Sequence, residues 1–424
     1  MKISVRFPMK GPVKMLLTAA LFVLAGTLGL SSSFYSEALV DAFFAFALAS
    51  VVILHLRVRP KWSDALLILA SGCFLGIVDF RILHYQPQVM AWVSFFGLGS
   101  FVVMAVRAIW AKDEESARAL LYAWIPAVLF VASDYFATTM LEWTAAAHPK
   151  TLDGYLLSFD YSLRMPIVFI AGQLYALKPW LHNASLLAYM GLALPIAVVY
   201  AGRLVRFKEK AVSAMLAFLV TGPVGILFYN LFPACGPHAL FQQNFPFHVL
   251  RIDQVQRLIL EPVAIQGPRN AIPSLHMAWV LLAWWYSRGL SWVERGIALA
   301  FLTLTMFATV GTGEHWLVDL IVAFPFALLI QAICAYKVSA RNGSRKSAFV
   351  FGLGCTLAWL AALRYAPGLF WTSPVVPWAL AIATIVLTSL RQRELYACAD
   401  AAPVVSERAA PESSVAADAS VPAS

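Results

Sequence analysis

The sequence has few charged residues for its length. Asp, Glu, Lys and Arg make up 12% of its 424 residues, whereas hydrophobic residues make up 61%. Soluble domains carry about 25% charged residues, so this composition excludes a soluble multidomain protein. Cysteine is also scarce, and the five cysteines show neither CxxC nor metal-ligand spacing, which argues against a disulfide framework; they are Cys73, Cys235, Cys334, Cys355 and Cys398.

Long apolar runs occupy most of the chain instead. Runs of about 20 apolar residues are long enough to cross a bilayer, and the sequence predicts about twelve such helices. They lie near 13–30, 38–56, 65–83, 89–109, 119–141, 184–202, 211–232, 272–288, 295–312, 315–336, 348–364 and 374–390. We therefore expect an all-α polytopic membrane protein whose first run is retained as a helix, because further spans follow it.

The positive charge follows the predicted topology. The net charge is +9, which could indicate nucleic acid, but most of the 31 lysines and arginines fall in alternate loops. Such a bias is the positive-inside rule, and it places both termini in the cytoplasm. Anionic lipid is then the expected partner of these charges, and no nucleic acid is expected. Short loops and an Ala-rich tail favour a bacterial inner membrane.

The predicted spans divide the chain into four regions. They are an N-terminal four-helix membrane region (1–118), a core (119–336), a C-terminal transmembrane hairpin (337–393) and a disordered cytoplasmic tail (394–424). Within the core, residues 142–183 favour interfacial or re-entrant helices, and residues 233–270 form a long outer loop with several prolines. Long ordered loops are often functional.

Proton-active residues begin two of the predicted spans on the outer side. One span starts with Pro273-Ser274-Leu275-His276, and another carries His315 and Asp319. His315 and Asp319 are four residues apart and share a helix face, so the carboxylate can accept a hydrogen bond from the imidazole. The second ring nitrogen is then available as a nucleophile, which is the logic of a catalytic triad without its serine.

The PSLH turn supplies the complementary chemistry. Proline suits a first helical position, and the free N–H groups of a helix start, with the Ser274 hydroxyl, form an anion site. Arg269 lies immediately upstream and could contact a phosphate. His276 beside a bound anion would hold a proton and could act as a general acid. We therefore predict an enzyme that acts on phosphate esters at the outer membrane surface.

The PSLH and His-x-x-x-Asp motifs resemble the second and third signature motifs of the type 2 phosphatidic acid phosphatase superfamily. That resemblance covers about residues 119–336. It implies a six-helix membrane core and metal-independent chemistry on lipid phosphates, with no cofactor, through a phosphohistidine. It also implies that His315 is the nucleophile, Asp319 its orienter, His276 the acid for the leaving oxygen and Ser274 a phosphate ligand.

Two departures favour a transferase over a phosphatase. The phosphatases' Lys-x6-Arg-Pro first motif is absent, and Thr309 stands where they place an arginine. Two cations for a phosphomonoester are therefore missing, whereas a phosphodiester carries one charge and needs fewer. PSLH and the YNLFPACGP stretch at 229–237 look closer to inositol phosphorylceramide synthases. That branch, with the sphingomyelin synthases, moves a phospho-alcohol head group between membrane lipids, and the expected function here is such a transfer.

Three other interpretations stay open at this point. The protein could be a lipid phosphate or polyprenyl diphosphate phosphatase in which Arg251, Arg257 and Arg269 replace the missing cations. It could be a transporter or scaffold with a vestigial triad. A metal could also be held by two histidines and a carboxylate, namely His276, His315 and Asp319. The sequence does not indicate an oligomeric state.

Overall fold

A computed structural model of the protein describes residues 11–30, 42–81, 89–207 and 210–401. These residues are mainly helical. The helices are α1 (Gly11–Leu30), α2 (Ala42–Arg57), α3 (Trp62–Arg81), α4 (Val89–Ile109), α5 (Glu114–Ala147), α6 (Asp153–Ser162), α7 (Ile167–Leu177), α8 (Pro179–Met190), α9 (Ala193–Phe207), α10 (Ala211–Leu231), α11 (Pro237–Phe241), α12 (Ile252–Gln256), α13 (Leu275–Tyr286), α14 (Trp292–Gly311), α15 (Leu317–Cys334), α16 (Gly343–Tyr365) and α17 (Val375–Ala401). Short 3-10 helices cover Gln242–Asn244 and Pro367–Trp371, and two-residue strands form β1 (Lys150–Thr151) and β2 (Val263–Ala264).

The predicted number of twelve spanning helices is not confirmed by the part of the chain that the structure describes. Seven of the described helices are long and apolar enough to cross a membrane, or eight if α8 and α9 form one span broken by a 56° bend. Each predicted apolar run contains a helix, but some of these helices are short. The 12 residues of α13 extend only about 18 Å, less than the ~30 Å of a hydrocarbon core. Helix α13 is therefore a short apolar helix that is packed inside the protein, with nine of its residues buried.

Helix α15 forms the centre of the core. In its membrane-length segment 83% of the residues are buried, because α10, α13, α16 and α17 surround it. Helix α13 lies between α9, α10, α14 and α15. A sequence that is hydrophobic on all sides is typical of a helix enclosed in this way. The starts of α13 and α15 carry the PSLH turn and the His315–Asp319 pair.

The N-terminal region packs directly against this core. Helix α2 contacts α5 and α9 as well as α4. It also reaches the candidate site, because the ring of Phe43 lies 6.2 Å from the ring of His276. The predicted four-helix region is therefore joined to the core through α2, and also through α4, which contacts α5.

Segments 142–183 and 233–270 interlock on the side of the core where α13 and α15 begin. β1 pairs antiparallel with β2, with Lys150 opposite Ala264. The amide of Leu152 donates to the Pro233 carbonyl at 2.7 Å. Helix α6 packs against α11, α12 and α15. The predicted interfacial segment thus contains short helices, and one of them supports the long loop.

The C-terminal helix extends beyond its predicted end. Helix α17 continues past Arg393 to Ala401, into the segment predicted as a disordered tail. Two contacts hold this extension in place. Leu395 is buried, and the Tyr396 hydroxyl donates a hydrogen bond to the Arg288 carbonyl at 3.1 Å. Arg391 and Glu394 form an ion pair of 2.9 Å on its surface. Residues 402–424 lie outside the described residues.

Candidate active site

The PSLH turn forms the capped start of α13. Ser274 is the N-cap, and its hydroxyl accepts a hydrogen bond from the Met277 amide at 3.3 Å. This is a common cap interaction, because the first amides of a helix lack partners within the helix. The sequence predicts Pro273 as the first residue of the helix. In the structure Pro273 precedes the N-cap, and the helix begins at Leu275. The Ser274 amide donates to the Asp319 carbonyl at 3.2 Å, which joins the starts of α13 and α15.

The turn between α14 and α15 carries His315. Gly313 has φ +77°, a left-handed conformation that favours glycine. The His315 amide donates to the Thr309 carbonyl at 3.1 Å, and Asp319 accepts from the Trp316 amide at 2.7 Å. Thr309 stands where the phosphatases have an arginine. It is buried, and its carbonyl helps to shape this turn.

The two histidines lie together. Their ring centroids are 6.5 Å apart, and the His315 ring is buried, with 1% of the residue exposed. His315 Nδ1 lies 2.8 Å from the Ala271 carbonyl oxygen and 3.5 Å from Asp319 Oδ2. A carbonyl oxygen only accepts hydrogen bonds, so Nδ1 carries the proton and Nε2 of the neutral ring carries the lone pair. The Ala271 carbonyl, more than Asp319, therefore orients the ring.

His315 is held in its neutral form. Burial lowers the pKa of its imidazole to about 4, although Glu314 and the Ala271 carbonyl act in the opposite direction. An imidazolium ion has no lone pair with which to attack phosphorus. The low pKa therefore keeps the ring nucleophilic across the physiological pH range.

Aromatic rings position His276. The imidazole stacks on Tyr189 with centroids 4.0 Å apart and 16° between the planes. The ring of Trp279 lies perpendicular to it at 6.1 Å, and Phe43 contacts it from α2. His276 is half-buried, in contrast to His315. The structure thus holds His276 by ring contacts at one side of His315.

Two buried aspartates of α6 are absent from the sequence prediction. Asp153 accepts hydrogen bonds from the amides of Cys235 and Gly236 at 3.0 and 2.8 Å and from the Trp316 indole at 3.0 Å. Asp160 accepts from the Leu317 amide at 3.0 Å. Both are buried, and burial raises the pKa of Asp160 well above its usual range. The two acids are seven residues apart on one face of α6, which is the sequence signal for a shared role.

Arg269 does not present its charge to a phosphate. Its guanidinium is buried, with 3% of the residue exposed. It donates to the carbonyls of His148 at 2.8 Å and Ile265 at 3.0 Å, to the Gly267 carbonyl and to the Cys235 sulfur at 3.1 Å. Cys235, Ile265 and Gly267 belong to the outer loop, and His148 lies at the end of α5. Arg269 therefore fixes the loop's shape.

The other two predicted arginines lie on the surface of the loop. Arg251 forms an ion pair with Asp253 at 3.0 Å, and its side chain is 76% exposed. Arg257 is exposed beyond the end of α12. The structure places neither of them among the residues that contact His276 or His315.

A cavity of about 380 Å³ adjoins the turn that carries His315. Gly313 and Glu314, which immediately precede His315, form part of its wall. The remaining lining comes from the outer loop and comprises Cys235, His238, Ala239, Gln242, Gln243, Gln266, Gly267 and Pro268. None of these lining residues is a lysine or arginine. Among the described residues, the cavity therefore offers groups that can hydrogen-bond a neutral polar group but no lysine or arginine for a phosphate dianion.

The geometry also bears on the metal interpretation. Within the described ranges, no group of three or more His, Cys, Asp or Glu side chains is placed to hold a metal ion. His276, His315 and Asp319 approach one another, yet Asp319 is turned toward the Trp316 amide. These three residues thus lack the arrangement of a metal site.

A comparison with known protein families supports the resemblance to the superfamily. Residues 154–333 match the family model of the PAP2 superfamily. The matched segment contains Asp160, Ser274, His276, His315 and Asp319. No curated protein and no solved structure matches the chain.

Proposed function

Taking the match of residues 154–333 to the PAP2 superfamily as the premise, we propose that the protein is a membrane lipid phosphotransferase. It moves a phospho-alcohol head group, such as phosphoinositol, from a phospholipid donor to a lipid alcohol through a phosphohistidine, without a metal. The superfamily match supports a phosphatase or phosphotransferase acting on lipid phosphoesters, and the transfer of a head group is the finer part of the proposal.

One observation carries the proposal. The Ala271 carbonyl fixes the proton of His315 on Nδ1, 2.8 Å away, which leaves Nε2 as a neutral nucleophile. The ring of His276 is 6.5 Å away, so a tetrahedral phosphorus between the rings can contact both. One nitrogen is thus placed to attack and a second side chain to move the proton.

The reaction follows as two displacements. His315 Nε2 attacks the donor phosphorus, and the bond from phosphorus to the donor lipid oxygen breaks. Burial lowers the pKa of His276 to about 3 in the free protein, so the negative charge of the bound diester has to stabilise the imidazolium, which then gives its proton to that oxygen. The acceptor hydroxyl then attacks the phosphohistidine, its proton passes to His276, and the N–P bond breaks. Both histidines return to their starting states, so one pair serves both halves.

The distribution of charge favours transfer of a diester over hydrolysis of a monoester. The Arg269 guanidinium is occupied by acceptors of the outer loop and its support, and Thr309 supplies no cation. A phosphodiester carries a single negative charge and needs less compensation than a monoester dianion. The amides of Gln242, Gln243 and Gln266 in the adjoining cavity provide hydrogen bonds for the alcohol part of the head group.

The proposal includes an orientation. The basic loops face the cytoplasm, so the histidines at the opposite ends of α13 and α15 act at the outer leaflet, on the periplasmic side of a bacterial inner membrane. Donor and acceptor lipids reach the site within the bilayer.

The test uses the purified full-length protein in lipid nanodiscs. A fluorescent diacylglycerol acceptor with a phosphatidylinositol donor measures transfer, and phosphatidic acid with a phosphate assay measures hydrolysis. We expect transfer by the wild type and a loss of at least about a thousandfold in His315→Ala, because the nucleophile is removed. The matched control is His248→Ala, since His248 is an exposed histidine of the outer loop.

Three results would count against the proposal. Full transfer by His315→Ala would refute the histidine nucleophile. Release of inorganic phosphate from phosphatidic acid without any transfer would identify the protein as a phosphatase of the same superfamily. Loss of activity on treatment with a strong chelator would refute the metal-independent mechanism.

A further inference from the structure

The cavity beside the turn that carries His315 has an acidic residue in its wall. Glu314 lines this cavity and immediately precedes His315. Its side chain is half-buried and forms no ion pair within the described part of the chain. In the predicted topology the outer segments beyond the described residues are 31–41 and 82–88, and neither contains a lysine or arginine. The Glu314 carboxylate therefore lines a space with no described lysine or arginine to balance its charge.

The Cys235 thiol reports the charge at the wall of the same cavity. The Arg269 guanidinium lies behind it and donates to the sulfur at 3.1 Å, with 3% of that residue exposed. Asp153 accepts from the Cys235 amide at 3.0 Å. Burial raises the pKa of the thiol to about 11, and the charges of Asp153 and Glu314 act in the same direction, against Arg269. The buried guanidinium is thus opposed by two carboxylates at this wall.

A phosphodiester at His315 would bring another negative charge to this region. Adjacent residues have Cα atoms about 3.8 Å apart, and the charge of Glu314 already acts on the His315 ring, whose pKa it raises. Like charges at such separations repel one another. A donor with a neutral alcohol would leave the phosphate and the carboxylate without a cation between them. A donor whose head group carries its own positive charge would balance both.

The rest of the lining favours a cation that carries N–H groups. Gln242, Gln243 and Gln266 bring side-chain carbonyl oxygens that can accept hydrogen bonds. None of the described lining residues is aromatic, whereas quaternary ammonium groups are typically held by aromatic rings. The cavity of about 380 Å³ also has room for waters that bridge a small head group to the glutamines.

We propose that this cavity selects donor lipids with a primary amino-alcohol head group, of the phosphoethanolamine type, and that Glu314 determines this specificity. The inference rests on the proposed head-group transfer and names its donor. One oxygen and two carbons separate the nitrogen of such a group from the phosphorus, so a phosphorus at His315 leaves the ammonium beside the preceding residue. The ammonium donates charge-assisted hydrogen bonds to the Glu314 carboxylate. Phosphoinositol has no positive charge and is expected to be transferred more slowly.

The experiment lets three donors compete in one reaction. The purified full-length protein receives a fluorescent diacylglycerol acceptor and equal amounts of phosphatidylethanolamine, phosphatidylinositol and phosphatidylcholine in detergent micelles, and the fluorescent products are separated by chromatography. The ratio of products gives the ratio of kcat/KM values. We expect fluorescent phosphatidylethanolamine to exceed each other product at least about tenfold, and Glu314→Gln to lower its ratio to phosphatidylinositol about tenfold.

Glu261→Gln is the matched control, because Glu261 is an exposed glutamate of the outer loop that does not line the cavity. It should keep the wild-type product ratio. The wild-type ratio tests the inference without a variant, so the test holds even if Glu314→Gln does not fold. A preference for phosphatidylinositol or phosphatidylcholine, or equal ratios in Glu314→Gln and Glu261→Gln, would overturn this inference alone. The absence of every fluorescent product would overturn the proposed transfer and this inference with it.

Discussion

The Asp153 carboxylate is the most direct point at which to perturb the candidate site without touching either histidine. It accepts three hydrogen bonds, from the amides of Cys235 and Gly236 and from the Trp316 indole. Asparagine has the same shape but only one acceptor oxygen, so its NH₂ group must face at least one of these donors. Hydrogen bonds to a charged group contribute about 1.5–3 kcal/mol each, and we expect Asp153→Asn to cost about 2 kcal/mol.

A cost of this size can be measured by thermal unfolding in detergent. At roughly 2–4 °C per kcal/mol for a large domain, the midpoint should fall by about 5 °C. Transfer activity should fall as well, because Trp316 follows His315 directly. Trp316→Phe removes one of the three donors, so the double variant Asp153→Asn/Trp316→Phe should lose less than the two single variants added together.

The matched control is Asp253→Asn, which removes a partly exposed carboxylate of the same outer loop. Surface ion pairs contribute little, so its midpoint should stay close to that of the wild type. If Asp153→Asn unfolds at the same temperature as Asp253→Asn, the carboxylate does not hold the loop to the start of α15. Strict additivity in the double variant would show that the contact to the indole carries no free energy.

Three further predictions concern the same region. Burial lowers the pKa of His315 to about 4, so kcat/KM should stay level down to about pH 5 and fall only at lower pH. A fall in kcat/KM centred near pH 6.5 would contradict a buried histidine nucleophile. Gly236 has φ +109°, and an added Cβ would meet the Glu314 carbonyl, so Gly236→Ala should lower the unfolding midpoint and the activity. Gly354→Ala, with open space around the helical glycine, should match or slightly exceed the wild-type midpoint. Burial raises the pKa of Asp160 well above its usual range, which favours the neutral carboxyl that asparagine imitates. Asp160→Asn should therefore lower the unfolding midpoint less than Asp153→Asn, and a larger drop would contradict this reasoning.

Much of the fold could be predicted because membrane helices have a simple signal. Each long apolar run contains a described helix, so apolarity alone gives the order of these helices along the chain. The number of helices that span the membrane could not be predicted in this way. A run such as that of α13 is equally apolar whether it crosses lipid or is enclosed by other helices. The two cases differ in helix length, and the 12 residues of α13 are too few to span.

The candidate site was partly predictable for a similar reason. One long apolar run, that of α14, separates the starts of α13 and α15 along the chain, so a helical hairpin brings His276 and His315 to the same side. The contacts of Arg269 could not be predicted, because they depend on the path of the loop carbonyls around it. Asp153 and Asp160 were missed because an interfacial helix and a buried supporting helix have similar alternation of polar and apolar residues.

The contact between Asp153 and the outer loop has a consequence for how a substrate enters. Lifting the loop away from Asp153 would break the two hydrogen bonds that the Cys235 and Gly236 amides donate to the carboxylate, at roughly 3–6 kcal/mol in total. At equilibrium the lifted form is then present in fewer than about one molecule in a hundred. The outer loop therefore stays closed over the start of α15 in nearly all molecules at equilibrium. We expect a lipid substrate to reach the histidines sideways from the bilayer, along the half-buried face of His276 beside Phe43 and Tyr189.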